Sequence, residues 1–322
     1  MKHNVVTVFG GAGFIGLYVV RALAQQGVQV RVACRRPEEA MRCKPMGDVG
    51  QIVPVAANIR NEDSVAAAVR GAKAVINLVG VLYNRGQQNF DSLHVDGART
   101  IAEAAQKADA KRLIHISAIG ADLESDSEYA RSKALGEQAV EEAFPGTTIL
   151  RPSIVFGPED DFFNRFAALA RLSPALPVIG PNTKFQPVYV GDVADAVSAC
   201  LADDATAGCC YELGGPTVHT FQNLMEIMLA EIGRKRLLVP APFWAASAKA
   251  YFLERLRIPF FLPKPLLTRD QVRLLKRDNV VGEKSLGVED LGITPTSLSA
   301  VLPTYLCRYR RAKDNGRKVQ TA

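Results

Sequence analysis

Along the first half of the chain, short apolar runs rich in β-branched residues alternate with stretches whose apolar positions recur every three or four residues. Val5-Val6-Thr7-Val8-Phe9 is such a run and reads as a buried strand. A helical period follows from Phe14 to about Gln26. Val28–Ala33, Gln51–Ala56, Ala74–Val79, Arg112–Ser117 and Thr147–Leu150 read as five more strands. Helical patterns cover Glu62–Arg70, Asn89–Ala108 and Glu128–Ala143, and Pro37–Gly50 reads as a loop or short helix. Strands alternating with helices of this length predict an α/β fold, a doubly wound parallel sheet of Rossmann type with helices on both faces.

Beyond Arg151-Pro152 the pattern loses its regularity, because Pro174, Pro177, Pro181 and Pro187 cut the chain into short pieces. Pro187–Val190 reads as a strand, Gly191–Ala202 as a helix returning to the main sheet, and Thr220–Ile232 as a further helix. The expected organisation is a nucleotide-binding domain over 1–151 with 183–208 returning to it. A smaller cap or docking domain over 152–182 and 209–307 follows, and then a basic tail, 308–322.

Between the first strand and first helix stand Gly10-Gly11-Ala12-Gly13-Phe14-Ile15-Gly16. Three glycines spaced by two residues, after a strand and opening a helix, suit a dinucleotide diphosphate. Gly10 takes a positive φ without a Cβ penalty. Gly13 lets the backbone approach the phosphates, and Gly16 lets the helix pack against the strand. The helix N-terminus supplies free N–H groups and a partial positive charge.

At the end of the second strand, NAD-selecting units place an acid for the ribose 2′-hydroxyl. Here the chain has Cys34-Arg35-Arg36. Two guanidinium groups and no carboxylate favour the 2′-phosphate of NADP(H) over NAD, since Arg grips phosphate bidentately; two exposed loop arginines are the plainer reading. Asn58, after the third strand, is placed to hydrogen-bond the adenine edge or to hold a turn. Gly80 follows the fourth strand, where backbone approaches a cofactor. Gly10, Arg35, Asn58, Gly80 and Ser117 all fall at strand ends, where ligands of such sheets bind.

Tyr129 and Lys133 stand four residues apart, on one face of a helix. Hydride transfer at a carbonyl requires a proton donor or acceptor at oxygen. A lysine beside a tyrosine serves this by lowering the phenol pKa. It also holds the nicotinamide ribose, and Ser117 is placed to share the substrate oxygen.

Composition narrows the setting. The 322 residues are 48% hydrophobic and 22% charged, as in a globular protein. No signal or transit peptide is visible, and the most apolar stretch, Val239–Pro263, is broken by Lys249, Glu254, Arg255 and Arg257. The six cysteines lack metal-ligand spacing, so no metal is expected, and they read as reduced thiols. The net charge of +6 is concentrated late: Arg308–Lys318 holds six basic residues and one acid, Glu254–Asp278 seven and three. Such a surface meets something acidic, or forms a solvated tail. Trp244, Tyr251, Phe252, Phe260 and Phe261 alternate with Arg255, Arg257, Lys264 and Arg269, a mixture suited to a headgroup surface, a partner helix or an ordinary cap core. No nucleic-acid reading motif accompanies the basic residues, so no nucleic-acid partner is expected.

Together, the glycine turn, Tyr129-Ala130-Arg131-Ser132-Lys133 and Gln186-Pro187-Val188-Tyr189-Val190-Gly191-Asp192-Val193 resemble the short-chain dehydrogenase/reductase superfamily in its extended or atypical branch. Lys44-Pro45-Met46-Gly47-Asp48-Val49-Gly50-Gln51, Pro152-Ser153-Ile154-Val155-Phe156-Gly157-Pro158-Glu159-Asp160 and Phe162-Phe163-Asn164-Arg165-Phe166-Ala167 are similar to the nucleotide-binding accessory subunits of respiratory complex I. That resemblance implies bound NADPH kept for structural or regulatory reasons. Its implied binding set is Gly10, Gly11, Ala12, Gly13, Phe14, Ile15, Gly16, Arg35, Arg36, Asn58, Gly80, Ser117, Tyr129, Lys133 and Pro152. The partners implied are complex I subunits, with peripheral contact at the cytoplasmic side of a bacterial inner membrane. Eleven residues separate Ser117 from Tyr129, where extended relatives have a longer loop carrying the catalytic hydroxyl. Tyr129, Lys133 and Ser117 therefore fit either an active NAD(P)-dependent reductase, epimerase or dehydratase, or a retained cofactor clamp.

Overall fold

A computed structural model describes residues 5–84, 86, 88–255 and 268–310. They form two compact units, one drawn from 5–152, 190–213 and 281–294, the other from 153–189, 214–280 and 295–310.

In the first unit the strands are β1 (Val5–Phe9), β2 (Gln29–Cys34), β3 (Ile52–Ala56), β4 (Ala74–Asn77), β5 (Arg112–Ile116) and β6 (Thr148–Pro152). A seventh, Cys210–Leu213, completes a wholly parallel sheet ordered β3-β2-β1-β4-β5-β6 and then Cys210–Leu213. The helices are α1 (Phe14–Gln25), the single turn α2 (Pro37–Ala40), α3 (Glu62–Val69), α4 (Gly97–Lys107) and α5 (Glu128–Ala143). One face of the sheet carries α1 packed beside the helix Val190–Ala202. The other carries α3, α4 and α5, with Val65, Ile101, Leu113 and Val140 fully buried between helices and sheet. Because both faces are covered, the central strands are buried at nearly every position: all five residues of β5 are buried, Arg112 and His115 included. The order reverses between β1 and β4, which opens a crevice at their carboxyl ends.

Three sequence expectations change here. Cys210–Leu213, assigned to the cap, lies at the edge of the main sheet. It pairs with β6 in the register Cys210↔Ile149 to Leu213↔Pro152. Segment 281–294 also returns to this unit, where the Glu212 amide donates to the Leu286 carbonyl at 2.8 Å. Both are long-range pairings that a local period does not encode. The expected long helix Asn89–Ala108 is a π-helical turn, Asp91–Asp96, running into α4.

The second unit is built around Phe156, Phe163, Leu224, Met225, Met228 and Leu302. Its expected strand Pro187–Val190 is the pair Val188–Tyr189, parallel to Val155–Phe156. Its helix Phe221–Glu231 is capped by Thr220, whose hydroxyl accepts from the Asn223 amide at 3.1 Å. Buried Asp160 accepts from the Tyr305 hydroxyl at 2.5 Å.

Candidate functional site

The site is assembled from the carboxyl ends of β1, β2, β4 and β5. Phe9 ends β1 opposite Ala33 on one side and Asn77 on the other. The chain then turns: the Gly10 amide donates to the Ala33 carbonyl at 3.1 Å, and the Gly13 amide returns to the Gly10 carbonyl at 2.9 Å. Gly10 sits at φ +78°, the left-handed region that disfavours a side chain. Gly16 is required by a tighter contact than expected. A Cβ there would lie 2.4 Å from the Gly10 carbonyl oxygen and 2.5 Å from Gly11 Cα. The group that excludes a side chain at Gly16 is therefore the turn itself, folded back on the first turn of α1, and not the strand.

Gly13 caps α1 without a side-chain hydrogen bond, and the first turn carries no acidic residue. The first amides of the helix, which no residue four positions back can satisfy, thus face the turn without a carboxylate competing for them. Phe14 and Ile15 open the helix half-buried, and Ala12 is buried within the turn.

At the end of β2 the two arginines separate. Arg36 pairs with Glu39 at 2.5 Å in an exposed ion pair, while Arg35 is exposed and has no partner among the described residues. A third arginine, missed in the sequence, approaches the turn. Met41–Met46 forms a 3-10 segment packed on α1, and from it the Arg42 guanidinium donates to the Ala12 carbonyl. The one available signal was two helical turns of mixed polarity between Pro37 and Gly50, too short for a period to be read. Asn58 is a turn residue: its side-chain oxygen accepts from the Arg60 amide at 3.2 Å, and its amide donates to Ser64 Oγ at 3.0 Å.

The second half of the site lies over β4 and β5. Lys133, on α5, is buried, and its ammonium donates to the Ile116 carbonyl at 3.1 Å. A Cβ on Gly80 would come within 3.3 Å of Lys133 Nζ, so the loop after β4 and the lysine share one small space. Ser117, next to Ile116, is 3% exposed and its hydroxyl has no hydrogen-bond partner. Its amide is held by the Leu150 carbonyl at 2.8 Å. A buried hydroxyl left unpaired has its desolvation uncompensated, so a polar group of a ligand would be bound favourably there. Pro152 closes the end of β6, its carbonyl accepting from the Ile119 amide at 3.1 Å.

His94, also missed in the sequence, ties these elements together from the π-helical turn. Its Nε2 accepts from the Val81 amide at 3.0 Å, so Nδ1 carries the proton and donates to Ser132 Oγ at 2.9 Å; Ser132 in turn donates to the Tyr129 carbonyl at 2.8 Å. His94, Phe90 and Tyr129 also pack as a ring cluster, with centroids 5.4 to 5.8 Å apart. His115 lies beside them, its Nδ1 accepting from the Asn77 side-chain amide at 3.1 Å and its Nε2 unpaired. Burial, reinforced by the Lys133 charge, pulls His94 down to about 2 and His115 to about 3, so both are neutral.

Burial also reverses the expectation for Tyr129. Its phenol is pushed up to about 12 rather than lowered by the lysine. Lys133 is pulled down to about 8 by the same loss of water, partly opposed by Glu137. Each group is driven toward its neutral form by the loss of water around it. A phenol held this high stays protonated at neutral pH and is a weaker acid than a free tyrosine.

Apart from the exposed pair of arginines, the residues fit a dinucleotide: an uncapped helix start, a turn with no room for side chains, a buried cation and an orphaned hydroxyl. Trp244 is 76% exposed, and the Arg269 guanidinium lies 5.3 Å from the ring centre of Tyr251. Of the other members of that aromatic and basic group, Arg257, Phe260, Phe261 and Lys264 lie outside the described residues. The side chains of Phe252 and Arg255 and most of the basic tail, 311–322, do so too.

A seven-stranded parallel sheet with this turn at its switch point defines the class. The chain belongs to the NAD dependent epimerase/dehydratase family, whose pattern matches residues 6–214, and it is thereby an NAD(P)-binding protein. Among solved structures it is similar to the dTDP-glucose 4,6-dehydratase DesIV of Streptomyces venezuelae, solved with NAD bound. That match has a TM-score of 0.71 at 20% identity, over 95% of this chain and 96% of the other.

Similarity to particular proteins is closer elsewhere. The chain is 39% identical over 97% of its length to the mitochondrial NADH dehydrogenase [ubiquinone] 1 alpha subcomplex subunit 9 of Arabidopsis thaliana, covering 79% of that protein. It is 35% identical over 95% of its length to the Mus musculus subunit of the same name, covering 80% of it. It is 35% identical to the ceramide reductase of Caulobacter vibrioides over 60% of this chain and 59% of the other. No helix among the described residues is long and apolar enough to cross a membrane.

Proposed function

We propose that this chain is an accessory subunit of respiratory complex I that holds NADP(H) as a structural cofactor. The observation that carries the reading is the reach of the similarity. The epimerase/dehydratase pattern ends at residue 214, but the match to the Arabidopsis subunit spans 318 residues and continues through the second unit. With the nucleotide site within the first unit, the second unit is the part read as docking on complex I subunits.

The diphosphate rests on the turn Gly10–Gly16 and the uncapped start of α1. Arg35 at the end of β2, with no carboxylate beside it on the strand, favours the 2′-phosphate of NADP(H). At the other end Lys133, Ser117, Tyr129 and Gly80 are the residues that would hold the nicotinamide half. The coenzyme supplies hydride chemistry when bound; the chain's own residues bind and enclose it. Two features favour retention over turnover: Tyr129 is pushed up to about 12, and the Ser117 hydroxyl is buried at the strand end.

The exposed Trp244, Leu172 at 88% and Leu237 at 68% belong to the second unit and suit contact with partner subunits. The expected site is peripheral, on the cytoplasmic side of a bacterial inner membrane. Purifying the tagged full chain from its native membranes tests this. Recovery with NADH:quinone oxidoreductase subunits supports the assignment, and recovery only as a soluble monomer contradicts it.

A second reading, an active NAD(P)-dependent reductase, epimerase or dehydratase, is favoured by the presence of both Tyr129 and Lys133 and by the ceramide reductase similarity. It requires that Tyr129→Phe abolish a measurable turnover while coenzyme binding survives.

A further inference from the structure

We infer that segment 281–294 senses coenzyme occupancy, because a chain of alternating charges, Glu137, Arg151 and Glu212, joins Lys133 on α5 to the backbone amide of Gly282. The inference rests on the NADP(H) reading above and names how that site is coupled to the rest of the chain. Every member of the relay belongs to the first unit.

Lys133 and Glu137 stand one turn apart on α5, and each is 5% exposed. At that spacing their side chains are neighbours, and the Glu137 charge opposes the fall in the Lys133 pKa. Arg151, on β6, clasps the Glu137 carboxylate at two points, 2.8 and 2.5 Å. Another nitrogen of the same guanidinium lies 3.8 Å from Glu212 Oε1, on the edge strand Cys210–Leu213. Glu212 Oε2 accepts from the Gly282 amide at 2.8 Å, and the Glu212 amide donates to the Leu286 carbonyl at 2.8 Å. The sign thus alternates at every step, from the ammonium to the positive end of the Gly282 peptide dipole.

That alternation sets the direction of the effect. The ammonium gives one of its three donors to the Ile116 carbonyl at 3.1 Å, which leaves two for a ligand. A coenzyme that accepts them shares the charge and loosens its hold on Glu137. Glu137 is then held more strongly by Arg151, Arg151 pulls less on Glu212, and Glu212 holds the Gly282 amide more firmly. Screening by water is weak along this path, since the side chains of Glu137, Arg151 and Glu212 are 7, 28 and 15% exposed. The last bond is itself exposed, so it opens by local fluctuation and responds to a small change in strength. Residues on both sides of 281–294 in sequence belong to the second unit, the part read as docking. The stretch of chain between two parts of the docking unit therefore reports whether the site is filled.

Hydrogen exchange of the full chain, resolved by residue with and without saturating NADPH, tests this. The reference is the amide of Asp109, outside the relay, which donates to the Gln106 carbonyl at 3.1 Å in the exposed turn after α4. In the wild type NADPH is expected to slow exchange at Gly282 about fivefold or more, and at Asp109 by less than about twofold. Glu212→Gln keeps an oxygen for the Gly282 amide and removes the charge facing Arg151. It is expected to abolish the slowing at Gly282 while NADPH still binds. A Gly282 amide that exchanges equally fast with and without bound NADPH in the wild type overturns the inference. So does a slowing that survives in Glu212→Gln, or an equal slowing at Asp109, which would mark a general tightening of the unit. A wild type that binds no NADPH by calorimetry removes the NADP(H) reading itself, a failure seen before exchange is measured.

Discussion

Replacing Lys133 by methionine is expected to make the empty protein more stable and its coenzyme binding weaker. The ammonium is buried with one protein partner, the Ile116 carbonyl at 3.1 Å, and its pKa falls from 10.5 to about 8. Over that interval the unfolded chain binds the proton more tightly than the folded one, so stability rises as pH climbs from about 8 to 10.5. Below about 8 both states are protonated and the full penalty of burying the cation applies. That fall corresponds to on the order of 3 kcal/mol at pH 7. Methionine matches the stem and removes the charge, but forfeits a hydrogen bond of about 1 kcal/mol. The net expectation is a gain of about 2 kcal/mol at pH 7, shrinking to near zero by about pH 10 as the wild-type penalty titrates away. Urea unfolding followed by far-ultraviolet circular dichroism at both pH values measures it. Trp244 fluorescence does not serve, because Trp244 lies in the second unit and Lys133 in the first. Taking the difference between variant and wild type cancels the buried thiols and Tyr129, which titrate in the same range. A Lys133→Met protein less stable than wild type at pH 7, or a difference that does not change with pH, refutes the reasoning.

Gly16→Ala places a methyl group 2.4 Å from the Gly10 carbonyl, with backbone on all sides; a loss of roughly 2 kcal/mol or more is expected, with loss of NADPH binding by fluorescence titration. Ser117→Ala removes an unpaired buried hydroxyl, so the empty protein gains up to about 1 kcal/mol in urea unfolding while NADPH affinity falls. Arg151→Met strips Glu137, 7% exposed, of a two-point ion pair at 2.8 and 2.5 Å; about 3 kcal/mol is expected to be lost, far more than for any exposed pair.

Much of the first unit was legible because its signals are local. Apolar runs the length of a strand and the glycine spacing need no distant partner to be recognised, and α1 begins at Phe14 where the turn places it. What escaped depends on three-dimensional neighbours. Cys210–Leu213 carries too short a pattern to show that it pairs with β6 rather than joining the cap. Arg42 and His94 act through a carbonyl and an amide of the turn and loop they touch, and a sequence does not show backbone partners. The phenol of Tyr129 was assigned the wrong direction for the same reason. A lysine four residues away is visible in the sequence, but the exclusion of water that dominates both groups is not.

Isolating the full chain from its own cells and measuring nucleotide content per chain by mass spectrometry tests the central claim most directly. The account predicts close to one NADP(H) per chain, released only on unfolding. A chain that emerges empty, and takes up no NADPH when the coenzyme is supplied in large excess, contradicts it.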